Sequence, residues 1–190
     1  MGAGIRFFLL YEIYSSAQHP QGWSKCIYDD ENIHYGLLQI IAANSPEFTQ
    51  ELLGLPSVPT RVSVFQKPPS KGANFDILIE ADKEPYYFEI KIWNLLSTDQ
   101  LDRQTDFLCS NNCNGRYVLF THAAQQWDAS TIASRSRGRS QLVTLADLLR
   151  SLNAVKANVP QEITEIVEAY KSIIQHLEAI RKLMSNKSIS

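Results

Sequence analysis

The sequence predicts an α/β fold: a central mixed β-sheet flanked by helices, with a long helix near the C-terminus. Two observations predict it. Apolar residues recur at helical spacing in residues 33–53, 98–109 and 160–184, whereas they alternate with polar residues or run continuously in residues 61–93 and 117–121. The order of these segments places helices before, between and after the strands, as in a sheet with helices packed against it.

Composition sets the size and class of the protein. At ~150 residues per domain, a chain of 190 residues predicts one domain, residues 1–190. Its core is expected at about residues 29–151 and its C-terminal helix at about 160–184. A hydrophobic fraction of 44% and a charged fraction of 20% exclude a disordered, collagen-like or coiled-coil chain. A net charge of −2 excludes nucleic-acid binding through bulk charge, although it leaves room for a local basic groove.

The N-terminal region and the cysteines indicate the compartment. The apolar stretch at residues 5–14 is interrupted by Arg6 and Glu12, and it is shorter than the roughly 20 residues that span a bilayer. It also lacks the basic start and the small-residue cleavage site of a secretory signal. The cysteines, 3 in number, do not suit a disulfide framework. We expect a cytoplasmic protein with reduced thiols and no membrane partner.

Two helices precede the sheet. Acidic residues at 29–31 suit the positive end of a helix dipole, and apolar residues follow at helical spacing as far as Ile41. A second helix is predicted to begin after Ser45, because serine is a favoured N-cap residue and Pro46 fits the first helical turn. That helix is expected to end near Gly54.

The middle of the chain changes to the period of strands. Strands are predicted at residues 61–66, 75–80 and 86–93, with a turn at residues 82–85 between the last two. A helix at residues 98–109 follows them directly.

The remaining elements alternate between strand and helix. We expect a very apolar and central strand at residues 117–121, a polar loop at 122–140 and a short strand at 141–143. Thr144 caps a short helix, and Pro160 opens the long amphipathic helix that runs to about Met184.

Three charged residues interrupt the predicted strands. Asp76 stands within an otherwise apolar strand, and Glu89 and Lys91 lie two residues apart in the next one. Because side chains alternate across a strand, Glu89 and Lys91 share one face while Ile90 takes the other.

The hairpin register brings the first of these residues to the other two. A four-residue loop at residues 81–84 pairs Glu80 with Pro85, and the same register places Asp76 directly opposite Glu89. Opposed residues share a face, with Cβ atoms about 4.5–5.5 Å apart. We therefore expect one cluster of two carboxylates and a lysine, which a slip of one residue would break.

This cluster has the chemistry of a cation site. Neighbouring carboxylates repel each other unless a cation lies between them, and oxygen ligands of this kind suit Mg²⁺, with Mn²⁺ as the alternative. Such an ion polarises a phosphate oxygen and lowers the pKa of a bound water. The plain alternative is a surface ion pair on a solvated sheet face.

The chain resembles the PD-(D/E)xK nuclease superfamily. The residues that carry the resemblance are Asn74–Ile79 around Asp76, Phe88–Lys91, Thr98–Arg103, Glu31–Asn32 and Ser45–Phe48. Several bacterial branches of that superfamily have a similar T-x-Q-L element just after the third strand. The resemblance covers roughly residues 29–121, with the helix at residues 144–151 as a further candidate, and it implies a restriction-endonuclease-like core. The proline of the superfamily's name is absent, because Phe75 precedes Asp76.

The resemblance implies a role for each matching residue. Asp76 and Glu89 would be metal ligands, the backbone carbonyl of Ile90 would be a further ligand, and Lys91 would be the catalytic lysine. Glu31 would be the helix-borne acid that completes the metal site in many members. The alternative for Glu31 is a first-turn acid that the helix dipole favours.

Polar and basic residues outside the cluster are candidates for contacts with nucleic acid. The resemblance gives Gln100 the role of bracing the site or touching the phosphate backbone, although it could equally be a helix surface residue. Arg103 follows it in the same element. Arg135, Arg137 and Arg139 lie in the predicted polar loop, where they would either contact phosphates or be solvated.

These expectations define a function and its rivals. The leading interpretation is a Mg²⁺-dependent endonuclease of the restriction or defence type that acts on DNA, with RNA as the alternative substrate. The second is a non-catalytic nucleic-acid-binding or protein-interaction module on the same fold. The third is a partner-binding protein that uses the long C-terminal helix for homodimer contacts.

Overall fold

The computed structural model describes residues 31–92, 96–110, 114–121, 129–156 and 158–187. The helices are α1 (Glu31–Asn44), α2 (Pro46–Leu53), α3 (Thr98–Ser110), α4 (Ala129–Arg135), α5 (Leu145–Asn153) and α6 (Gln161–Lys187). The strands are β1 (Val62–Gln66), β2 (Ile77–Ala81), β3 (Glu84–Lys91), β4 (Arg116–Thr121) and β5 (Ser140–Val143).

The described strands form one mixed sheet in the order β1-β2-β3-β4-β5. β1, β2 and β3 pair antiparallel. β4 pairs parallel to β3, and β5 pairs parallel to β4. The parallel step from β3 to β4 requires a crossover, which α3 provides. The α/β class, the mixed sheet and the long C-terminal helix are therefore confirmed, and the strand at residues 117–121 lies inside the sheet as expected.

Helices cover both faces of the sheet. One face carries Phe88, Ile90 and Phe120, which pack with apolar residues of α1, α2, α5 and α6. The other face carries Tyr87 and Tyr117, which pack with α3 and α4. Alternation along each strand divides the apolar side chains between these two cores.

The apolar residues of α6 belong to the first of these cores. Val167, Tyr170, Ile174 and Leu177 are buried there. The C-terminal helix therefore packs against the sheet as part of the same hydrophobic core. Within the described residues, no helix is long and apolar enough to cross a membrane.

The predicted helix caps are confirmed. The Ser45 hydroxyl accepts a hydrogen bond from the Phe48 amide, with Pro46 at the start of α2. Gly54 follows α2 at a φ of 62°, a conformation that glycine adopts without steric cost. Thr144 and Asp147 cap α5 with reciprocal hydrogen bonds.

The hairpin between β2 and β3 is tighter than predicted. Ala81 pairs with Glu84, so the four-residue loop at residues 81–84 is wrong and the turn consists of Asp82 and Lys83. Both turn residues have positive φ, 49° and 73°, as a two-residue hairpin turn requires. The predicted register is nevertheless confirmed, since Glu80 faces Pro85.

Other boundaries also differ from the predicted ones. The polar loop at residues 122–140 is wrong for its second half, which contains α4, because the buried Ile132 anchors that segment to the aromatic core. The strand predicted at residues 86–93 begins at Glu84 and ends at Lys91. The aromatic N-terminal segment and residues 122–128 lie outside the described residues.

Candidate functional site

Glu89 and Lys91 lie at the carboxyl end of β3. Both point to the face that α3 covers, while Phe88 and Ile90 point into the opposite core. The predicted alternation is confirmed, because the Glu89 carboxylate and the Lys91 ammonium are 2.6 Å apart. The carboxyl end of parallel strands, from which β3 leads into α3, is where open α/β sheets commonly hold ligands.

An irregular backbone hydrogen bond at the start of β2 places Asp76 near Glu89 and Lys91. The Asp76 amide donates to the Phe88 carbonyl at 3.0 Å, although Ile77 is the register partner of Phe88. Asp76 therefore lies just beyond the regular β2–β3 ladder, and its amide bonds one residue out of the register of that ladder. The strand predicted to start at Phe75 consequently starts at Ile77.

The end of the ladder changes what Asp76 faces. Direct backbone opposition of Asp76 and Glu89 was expected, and that detail is wrong, because the regular ladder ends one residue earlier. The Asp76 side chain instead turns toward β3, where its Oδ2 accepts a hydrogen bond of 2.8 Å from the Ile90 amide. The carboxylate thereby takes the place of the backbone carbonyl that a continued ladder would have offered to Ile90.

Glu89 is the most enclosed charged residue of the site. Its side chain is 1% exposed. Oε1 accepts from Lys91 and from Gln100, whose Nε2 lies 2.7 Å away. Oε2 accepts from Gln104 Nε2 at 2.6 Å. Charge-assisted hydrogen bonds of this kind reduce the free-energy cost of burying a carboxylate in the interior.

These surroundings displace the pKa of Glu89. Burial and, after it, the negative charge of Asp76 raise the pKa of Glu89 to about 7, although Lys91 and the Gln104 hydrogen bond act in the opposite direction. Asp76 is therefore near enough for its charge to be felt by Glu89. A carboxylate poised near neutral pH beside a second carboxylate is typical of functional sites.

The structure brings Gln100 to the site, as the resemblance implied for the bracing role. Gln100 and Gln104 stand one helical turn apart on α3, and both amides reach the Glu89 carboxylate. A contact of Gln100 with nucleic acid stays a prediction.

Gln104 and Tyr117 belong to the site but were not predicted. Gln104 is buried, and its Oε1 accepts a hydrogen bond of 2.9 Å from the Tyr117 hydroxyl. A sequence signal existed for Gln104, because it lies between Leu101 and Leu108 on the apolar stripe of α3. A polar residue on such a stripe needs a partner in the core. Nothing comparable distinguishes Tyr117 from an ordinary core tyrosine.

Glu31 is the first residue of α1, and its side chain lies outside the described part of the chain. Its role as a metal ligand stays a prediction. Among the side chains that the structure describes, no group of three or more His, Cys, Asp and Glu is arranged to hold a metal ion. The donors that fit a divalent cation are the two carboxylates and backbone oxygen, a set that suits a hard, partly hydrated ion such as Mg²⁺.

The arginines expected to contact phosphates differ in their surroundings. Arg135 forms an ion pair with Asp102 of α3. The guanidinium of Arg139 lies 3.4 Å from the Leu108 carbonyl near the end of α3, at the amino end of the parallel strands. Arg103 and Arg137 are exposed. The structure thus gives Arg135 and Arg139 contacts within the protein and leaves the nucleic-acid role of all four a prediction.

No family model, no curated protein and no solved structure matches this chain.

Proposed function

We propose that the protein is a divalent-cation-dependent phosphodiesterase that cleaves DNA, an endonuclease of the PD-(D/E)xK type with a restriction-endonuclease-like core. The observation that carries the proposal is the meeting of Asp76, Glu89 and Lys91 at one end of β3. Three charged side chains, two from β3 and one from the residue that precedes β2, are concentrated there, and one of them is fully buried. A buried carboxylate beside another carboxylate is costly unless a cation compensates it.

The order of elements supports this proposal. Helix α1, three antiparallel strands, the crossover helix α3 and a strand parallel to the third follow one another as the resemblance implies. Fold does not determine activity, so the site residues carry the greater part of the proposal.

The backbone around Ile90 supports its role as a further ligand. The Ile90 amide donates to Asp76, so this residue presents its hydrogen-bonding edge to the Asp76 side of β3. The amide and carbonyl of one residue in an extended strand point to the same edge. The Ile90 carbonyl is thus directed toward the side from which Asp76 approaches.

The chain's own residues would share the chemistry as follows. Asp76, Glu89 and the Ile90 carbonyl would hold Mg²⁺, which when bound polarises a phosphate oxygen and lowers the pKa of a water. Lys91 is 13% exposed and carries its charge at the mouth of the site. It would stabilise the negative charge that develops on the phosphate during hydrolysis.

One observation favours the non-catalytic module. Every oxygen of Glu89 already has a protein donor, and Lys91 supplies a compensating charge. The charge of Glu89 is thus compensated without a metal ion, as it would be in a structural polar network on an interaction module. Cleavage would then be absent, while binding of a nucleic acid or a protein would persist.

The proposal is tested with supercoiled plasmid in Mg²⁺, in Mn²⁺ and in EDTA, with a single-stranded RNA in parallel. We expect nicking or linearisation of the DNA with either ion and none in EDTA. Asp76→Asn should abolish it. Glu80→Gln is the matched control, because Glu80 lies near the end of β2 that is farther from Asp76. DNA binding without cleavage under every ionic condition would refute the enzyme and favour the module.

A further inference from the structure

The two oxygens of Glu89 face different parts of the protein. Oε1 is directed to Lys91 and Gln100, both partly exposed at the edge of the site. Oε2 is directed to Gln104, whose side chain is 0% exposed. One oxygen therefore faces the region that a cation can enter, and the other faces the closed interior beneath α3.

Gln104 is itself oriented by Tyr117. The Tyr117 hydroxyl donates to Gln104 Oε1 at 2.9 Å, which leaves Nε2 pointing at Glu89. If the Gln104 amide turned over, its oxygen would face the Glu89 carboxylate and two acceptors would meet in the core. Burial, and after it the charge of Glu89, raise the pKa of Tyr117 well above its usual range. The hydroxyl thus keeps its proton and stays a donor.

We propose that Gln104 and Tyr117 are positioning residues that hold Oε2 of Glu89 in the interior and present Oε1 as the oxygen that binds the divalent cation. Tyr117 acts only through Gln104. This inference rests on the proposed function for the identity of the ligand, since Glu89 is a metal ligand only there. Partners of this kind, which orient a ligand without touching the metal, typically affect metal affinity by about 10–100-fold when removed.

The chain allows the hydroxyl to be removed while the ring is retained. The Tyr117 ring packs against Phe75 with centroids 6.2 Å apart, a contact that a phenylalanine keeps. Tyr86→Phe is the matched control. Its hydroxyl donates to the Glu84 carboxylate at 3.0 Å and its ring packs in the opposite core, so the same chemical group is removed from the neighbouring strand β3, away from the site.

The first readout is Mn²⁺ affinity measured by calorimetry in a double-mutant cycle. Tyr117→Phe and Gln104→Met should each weaken binding by about tenfold, and the double variant should be no weaker than Gln104→Met. Tyr86→Phe should bind as the wild type does. Two results would overturn the inference. One is an unchanged Mn²⁺ affinity in Tyr117→Phe, and the other is a loss of affinity on adding Tyr117→Phe to Gln104→Met that equals its loss in the wild-type background.

The second readout needs no metal. In EDTA, the ¹³C resonance of the Glu89 carboxyl, assigned by its loss in Glu89→Gln, should shift in Tyr117→Phe and stay in place in Tyr86→Phe. If the wild type binds no Mn²⁺, the proposed function fails. The resonance then decides the positioning role: a shift in Tyr117→Phe that vanishes in the Gln104→Met background supports it, and an unmoved resonance refutes it.

Discussion

The Asp76 carboxylate accepts a hydrogen bond of 2.8 Å from the Ile90 amide, so a side chain closes the β2–β3 ladder where a backbone carbonyl would otherwise stand. Because a carboxylate oxygen replaces the backbone carbonyl, a negative charge lies at the edge of β3, beside the buried Glu89. The candidate site therefore depends on an interruption of the sheet as much as on its regular register.

Removing either carboxylate should weaken divalent-cation binding. One remaining acid holds a strongly hydrated ion poorly, so Asp76→Asn and Glu89→Gln should each reduce Mg²⁺ affinity at least tenfold. Calorimetric titration of both variants measures this, with Glu80→Gln as the control. Wild-type Mg²⁺ affinity in both variants would refute their assignment as ligands.

Removing the Lys91 charge should strengthen divalent-cation binding and, separately, slow DNA cleavage. The Lys91 ammonium occupies Glu89 Oε1 at 2.6 Å, so a cation has to replace it there. We therefore expect Lys91→Met to bind Mg²⁺ several-fold more tightly than the wild type, because a competing charge of the same sign is gone.

The same variant should lose DNA cleavage by about 10²–10³-fold, as expected when one electrostatic stabiliser of the transition state is removed. Its DNA affinity, measured in Ca²⁺ to prevent turnover, should stay near that of the wild type. Weaker DNA binding with no change in turnover of the bound complex would indicate a phosphate contact instead of a catalytic group.

Glu89 should make folding stability depend on pH in the absence of metal. Its pKa is raised from 4.5 to about 7, so between these values the folded protein retains a proton that the unfolded chain has released. The free energy of unfolding should consequently fall as the pH rises through this window, by up to roughly 3 kcal/mol. The contribution is fully present below about pH 4.5 and lost above about pH 7.

Urea denaturation in EDTA at pH 5, 6, 7 and 8 measures this dependence. Glu89→Gln should flatten the part of the curve that belongs to this group. Identical slopes for the wild type and Glu89→Gln would show that the Glu89 pKa is not raised in the folded protein.

The hairpin turn offers a test of the register that is independent of function. Lys83 has a φ of 73°, a conformation that costs an L-residue about 1 kcal/mol relative to glycine. Lys83→Gly should therefore raise the melting temperature by roughly 2–4 °C for a chain of this size. Lys83→Ala, which keeps a Cβ, should leave it unchanged. A lower melting temperature for the glycine variant would argue against this turn.

The sequence carried more information about the strands than about their junctions. Period-two alternation around Glu89 and Lys91 predicted their common face, and the hairpin register predicted the pairing of Glu80 with Pro85. The same register failed at Asp76, because the residue at which a ladder ends leaves no periodic signal in the sequence. The tight turn at Asp82 and Lys83 was missed for a related reason, since neither residue is the glycine that usually marks positive φ.

The interior of the site was the least predictable part. Gln100 was reached through the resemblance, whereas Gln104 and Tyr117 acquire their roles from contacts between α3 and β4 that only the packed structure defines. The helix α4 was missed because Ile132, the residue that packs it against the core, is its only large apolar residue. Tertiary packing outweighs local composition in such segments.

In the proposed function, Asp76 and Glu89 jointly hold a divalent cation. Anomalous diffraction from a crystal soaked in Mn²⁺ tests it most directly. We predict one strong anomalous peak within about 2.0–2.4 Å of carboxylate oxygens from both residues and of the Ile90 carbonyl, with the Lys91 ammonium displaced from Glu89. A crystal that shows no peak there, with Lys91 still paired to Glu89 at saturating Mn²⁺, would contradict the claim.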